Sequence, residues 1–153
     1  RVDTFCASGI EDIVLHEGLK EIGHDAFNSC YNLKSLTIPS TVDFIGPWLV
    51  QGHREFNGVI CKSSKFRIEN EALISNEDDS FLACWTKKTE YHLHASVKNL
   101  KSVLNDQIET IYLDYPLDKI GFEAFIGCSS LKKIAYNATV RINKSANFSW
   151  ARD

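Results

Sequence analysis

The chain has no methionine, only three prolines, and no excess of charge of either sign worth the name. Each scarcity excludes something. Without a methionine no natural start is present, so the 153 residues are expected to be a single array cut or processed from a longer protein, with no leader sequence to read. Seventeen Lys and Arg against twenty Asp and Glu leave a net charge of −3, which gives no electrostatic reason to expect nucleic acid or an anionic membrane as partner. No apolar run approaches the roughly 18 residues of a membrane-spanning helix. The five cysteines, Cys6, Cys30, Cys61, Cys84 and Cys128, cannot all pair within one chain. They show neither a CxxC nor a zinc-like Cys/His spacing, so they read as reduced thiols used as small hydrophobes. Nucleophile elbow, phosphate loop, dinucleotide fingerprint and His-Glu-x-x-His are all missing, which leaves no catalytic set, no cofactor and no enzyme to argue for.

What is present is repetition. IGHDAFNSC at 22–30 returns as IGFEAFIGC at 120–128. Displacing the sequence by 98 lays 10–34 on 108–132 without a gap, with Ile10/Ile108, Ile13/Ile111, Leu15/Leu113, Leu19/Leu117, Ile22/Ile120, Ala26/Ala124, Phe27/Phe125 and Cys30/Cys128 all retained. The matches are mostly apolar and the differences mostly polar, as a buried skeleton under a free surface requires. A shorter step of 23 carries Ile13 to Leu36, Leu15 to Ile38 and Ile22 to Ile45, and near the other end Ile111 to Ile134. A period of 20–29 residues is that of leucine-rich repeats, in which one unit cannot cover its apolar face alone and stacking builds a continuous core.

Short β-rich runs mark each unit: IVL, SLTI, VIC, YHL, TIYL and KKIAY. Alternation points Ile13 and Leu15, Leu36 and Ile38, Val59 and Cys61, Tyr91 and Leu93, Ile111 and Leu113, and Ile134 and Tyr136 inward. It sends Val14 and His16, Ser35 and Thr37, Ile60 and Lys62, His92 and His94, Tyr112 and Asp114, and Ala135 and Asn137 outward. The Ile-Gly step suits a tight bend or left-handed backbone. Ala-Phe-x-x-Cys reads as a short helical turn that drives Phe27 or Phe125 into the interior.

On IVLHEGLKEIGHDAFNSCYNLKSLTIPSTVDFIG the chain resembles the BspA-type leucine-rich repeats, most clearly over 10–46 and 108–136. The resemblance implies an α/β repeat solenoid of about six coils, with short parallel strands on one face and short helical turns on the other. FRIENEALISNEDDSFLACW implies a β-hairpin insertion near 66–86, turning near Asn76–Ser80. Pro47-Trp48-Leu49-Val50 departs from the expected x-x-Ala-Phe, and the tail loses the pattern after Val140. The resemblance further implies a secreted or cell-surface protein with a non-enzymatic protein-binding or adhesion role towards host or other cell-surface proteins. A structural spacer supporting a domain elsewhere is the alternative.

The outward ribbon has most chemical character at His92, His94, Tyr112 and Asp114, which we take as the expected contact patch. Two histidines on one strand face with Asp114 in register have the makings of a metal site, but an ordinary polar surface is the simpler reading and no metal is assigned. Asn76-Glu-Asp-Asp lacks calcium-loop spacing and reads as a solvated turn. The sequons at Asn137, Asn143 and Asn147 read as accidents of an Asn/Ser-rich tail.

Overall fold

In the computed structural model, residues 9–51, 54–103, 105–121 and 123–137 are described. The chain winds as a β-solenoid of about five turns. Two walls of short parallel strands face each other across the interior. The first wall carries β2 (Leu36–Ile38) beside β4 (Val59–Cys61), and then β8 (Glu90–His92), β10 (Thr110–Leu113) and β12 (Lys133–Tyr136) in one parallel sheet. The second carries β1 (Glu21–Ile22) beside β3 (Phe44–Ile45), and further along β9 (Asn99–Leu100) beside β11 (Lys119–Ile120). Pairs such as Leu36↔Val59 and Ile111↔Ile134 lie 23 residues apart, so the sequence period is the strand register itself.

The expected helical turns do not form: no helix occurs among the described residues. The Ala-Phe-x-x-Cys segments are successive tight turns, with Asn28 N–H donating to Asp25 O, Cys30 N–H to Phe27 O and Leu33 N–H to Cys30 O. The second copy repeats this, with Ile126 N–H donating to Glu123 O, Cys128 N–H to Phe125 O and Leu131 N–H to Cys128 O. Left-handed residues at Asp25, Ser29 and Gly127 stop each turn from propagating, and so short a segment is below the length at which a helix holds itself. The side chains nevertheless go where the repeat sends them. Phe27 and Phe125 are each 2% exposed, in equivalent turns of their coils.

Glycine in the Ile-Gly step is needed for close approach. A Cβ on Gly46 would lie 2.7 Å from the His24 amide nitrogen on the preceding coil. At Gly58, both a left-handed φ of 125° and the indole of Trp85 packed against it exclude a side chain.

Between the two groups of coils runs a meander of β5 (Phe66–Glu69), β6 (Ala72–Ser75) and β7 (Ser80–Cys84), with β7 continuing in parallel onto β9. Every residue of β6 and β7 is buried. Leu73, Leu82 and Ala83 pack into one core with Ile22, Phe27 and Phe56, whereas Ala72, Ile74, Phe81 and Cys84 pack into a second with Leu100, Ile111 and Phe125. The meander is therefore an internal partition, and the expected single rod of core is two cores separated by it. Burial on both faces explains why ALIS and SFLAC read as nearly unbroken apolar runs.

Both walls are interrupted at this level. Phe44 and Gly46 donate to Lys20 O and Ile22 O, so Ile45 turns its amide and carbonyl away from β1. Beside it lies a groove of about 740 Å³ bordered by Phe44, Phe66, Leu82 and Lys101. At the far end Tyr136, expected inside, is 61% exposed: β12 is an edge strand, with no described strand beyond it to cover the ring. The tail from residue 138, with Asn143 and Asn147, lies outside the described residues, as does Cys6.

Candidate functional site

Strand pairing assembles the patch. Tyr112 of β10 is in register with His92 of β8, and both point away from the core. At the strand spacing of about 4.8 Å their rings can stack, and they do: centroids are 4.3 Å apart with 3° between planes. Asp114, one residue past β10, places Oδ2 2.6 Å from His92 Nδ1. An ionised carboxylate only accepts, so Nδ1 carries the hydrogen of this bond.

His94 takes a different partner. Its Nδ1 lies 2.9 Å from Glu69 Oε2 and 2.9 Å from Ser96 Oγ. The Ser96 hydroxyl also donates to Glu69 Oε2, and Glu69 Oε1 accepts from Arg67 Nε at 3.1 Å. Burial pushes the Glu69 carboxyl up, but the Ser96 hydroxyl and the positive charge of Arg67, followed by His94, outweigh it and hold the group below its usual range. Arg67 reaches on to Asp79 at 2.8 Å, Ser75 O at 3.1 Å and Asn76 Oδ1 at 3.0 Å. Asp78 pairs with Lys101 at 2.9 Å. The acidic turn at 76–79 is thus spent on ties to two cations.

Asn70 and Glu71 join β5 to β6, with φ of 47° and 58°. Two left-handed residues in a two-residue connection are the primed hairpin geometry, which asparagine tolerates. The turn carries Asn70 to β8, where its Nδ2 donates to His92 O at 3.0 Å and its carbonyl accepts from Tyr91 Oη at 2.8 Å. Burial drives the Tyr91 hydroxyl well above its ordinary pKa, so it stays a donor. A cavity of about 340 Å³ remains, lined by Asn70, His92, Leu93, His94, Ala95, Asp114 and Tyr115.

The four expected residues fall into two groups. His92, Tyr112 and Asp114 interlock, while His94 leans towards Glu69 of the meander. Glu69, Asn70, Ser96 and Tyr115 were not anticipated. Glu69 and Asn70 belong to the segment that breaks the 23-residue step, so register could not place them. The one available signal was an asparagine in a short polar gap between two β-rich runs.

No group of three or more His, Cys, Asp or Glu among the described residues is placed to hold a metal ion. Ser96, His94 and Glu69 do not make a nucleophile relay either. Serine and carboxylate converge on the same nitrogen, whereas a relay needs the imidazole to bridge them through two. Cys30, Cys61, Cys84 and Cys128 are not joined in disulfides, and the first, third and fourth are buried. Burial pushes Cys84 up to about 12 and raises Cys61 as well, against the thiolate a nucleophile requires.

The strand walls, the repeated Phe turns and the 23-residue register have a counterpart among known families. The BspA type leucine rich repeat region matches in six copies, over residues 1–104 and 99–151. The chain belongs to this family. The BspA-type fold is shared with three solved structures. One is the pneumococcal vaccine antigen PcpA, at 25% identity and a TM-score of 0.64, covering 78% of this chain and 31% of that one. Another is a leucine rich cell surface protein from Faecalibacterium prausnitzii, at 16% identity and a TM-score of 0.61, covering 87% and 42%. A leucine-rich repeat protein from Eubacterium ventriosum follows at 18% identity and a TM-score of 0.60, covering 91% and 45%. The chain spans less than half the length of each. No curated protein matches it. No helix among the described residues is long and apolar enough to cross a membrane.

Proposed function

We propose that this segment is a non-enzymatic protein-binding module of a secreted or cell-surface protein, serving adhesion through its first wall. The observation that carries the reading is the outward cluster of His92, Tyr112 and Asp114, fixed before any partner arrives by a ring stack and a 2.6 Å hydrogen bond. Side chains already held in one arrangement lose little freedom on binding, which favours affinity. Val14 at 70% exposure and Ile60 at 59% extend the same outward ribbon as apolar surface. Membership of a repeat family with a surface antigen and a cell surface protein among its structural neighbours supports the placement.

The chain of ties through Arg67, Glu69, Asp79 and His94 supports a second reading, a stiff spacer that holds another domain at a distance. The experiment is capture of host and cell-surface protein fractions on the immobilised segment, compared with His92→Ala, His94→Ala, Tyr112→Ala and Asp114→Asn. Binding that saturates and weakens at least tenfold in these variants is expected, a loss of about 1.4 kcal/mol. Saturable binding indifferent to all four moves the interface elsewhere. Absence of binding leaves the spacer.

A further inference from the structure

The cavity between Asn70 and Tyr115 is rich in acceptors. Asp114 uses Oδ2 on His92, and its charge is not matched by any ion pair with Lys or Arg among the described residues. Asn70 donates through Nδ2 to the His92 carbonyl, a bond that does not use its acceptor Oδ1. A carboxylate and an amide oxygen bordering a space of about 340 Å³ suit a cation that brings several hydrogens. A bare metal ion is a poor occupant, because the histidines and carboxylates do not converge on one point. A polyatomic cation can reach separated acceptors at once. Tyr115, 49% exposed, and the His92 ring supply flat aromatic surface at the border.

We infer that this cavity receives an arginine guanidinium from the partner protein, held by Asp114 and Asn70 and flanked by the rings of Tyr115 and His92. The inference rests on the binding-module reading and specifies its chemistry. Guanidinium is favoured over ammonium because its planar fork delivers several N–H groups in one plane and stacks on aromatic rings, whereas a lysine ammonium is a compact, strongly hydrated charge.

The test uses N-acetyl-arginine amide, N-acetyl-lysine amide and N-acetyl-citrulline amide as probes, titrated into the protein while the ring signals of His92 and Tyr115 are followed by NMR. Saturable shifts with the arginine amide are expected, at least about threefold tighter than with the lysine amide, and none with neutral citrulline. Asp114→Asn, which keeps the shape and removes the charge, should weaken the arginine amide at least about fivefold while a melting curve shows the protein still folded. Equal affinity for arginine and lysine amides overturns the guanidinium assignment. An equal response to citrulline, or an unchanged one in Asp114→Asn, overturns the role of charge. If a captured protein partner binds the wild type and loses affinity in Tyr112→Ala, yet competes with none of the amides, the binding module stands and this inference alone falls.

Discussion

Leu73 and Ile74 are neighbours in β6 and belong to different cores. Leu73 packs with Phe27 and Val59, Ile74 with Ile111 and Phe125, and each is fully buried. A strand that covers one core would tolerate a polar residue at every second position. Here Leu73→Asp and Ile74→Asp should both be severely destabilising, by more than about 3 kcal/mol each, since either buries an unpaired carboxylate. Urea melts of the two variants check this. A mild effect at one position would mean that one side of the partition faces water.

Gly46→Ala should cost about 1–3 kcal/mol, because the new methyl group meets backbone 2.7 Å away on the preceding coil and backbone cannot swing aside. Gly121→Ala, where the nearest atom is Leu100 O at 3.2 Å, should cost less. Thermal melts of the pair test the order. The reverse order would show that the Ile-Gly step is not set by coil-to-coil approach.

Acid should loosen the hairpin turn through Asp78. Burial alone would raise its pKa, but the hydrogen bond from Lys101, with Ser80 and the charge of Lys101, brings it down to about 2 from an ordinary 3.8. A depressed folded-state value stabilises the protein fully above the ordinary value and loses that contribution as pH falls towards 2. Asp78→Asn should therefore flatten the stability profile between about pH 4 and pH 2. The side chain is partly exposed, and solvent screening keeps the effect small. Melting temperatures across that range for both proteins give the comparison.

Thiol reagents should separate the described cysteines. Cys84 is fully buried with its thiol at about 12, whereas Cys61 is half-buried with a smaller upward shift. At pH 8 Cys61 should react before Cys84, which should wait for unfolding. Mass-spectrometric mapping of labelling over time reads the order directly. Early labelling of Cys84 would show that the second core opens under native conditions.

The repeat itself was legible because burial constrains it twice over. Ile22, Phe27 and Cys30 take equivalent places in the first core to those of Ile120, Phe125 and Cys128 in the second, and their spacing survives while the surface drifts. Phe125→Ala should cost about 3–5 kcal/mol on that account. Outward alternation likewise placed His92 and Tyr112 side by side. The turns were less legible: Ala-Phe-x-x-Cys has helical spacing, and in the first copy the left-handed residues that break it, Asp25 and Ser29, are not glycines, although Gly127 marks the break in the second. Glu69 and Asn70 escaped because pairing across the meander obeys hairpin geometry and has no memory of the 23-residue step. Tyr136 was assigned inward by alternation, which fixes a direction but not the presence of a neighbour.

The partition also decides where the two ends of the protein point. At its level no strand pairing among the described residues runs along either wall from the first coils to the later ones; β2–β4 and β1–β3 stop short of β8–β10–β12 and β7–β9–β11. Alignment of the early coils with the later ones is therefore set by how the meander of β5, β6 and β7, part of a five-stranded sheet with β9 and β11, is wedged between them. Altering its thickness, by trading Leu73 or Leu82 for a larger or smaller residue, would swing the face that bears His92 relative to Val14 and Ile60. A multi-point grip on a large partner would weaken even though every side chain in the grip stayed intact.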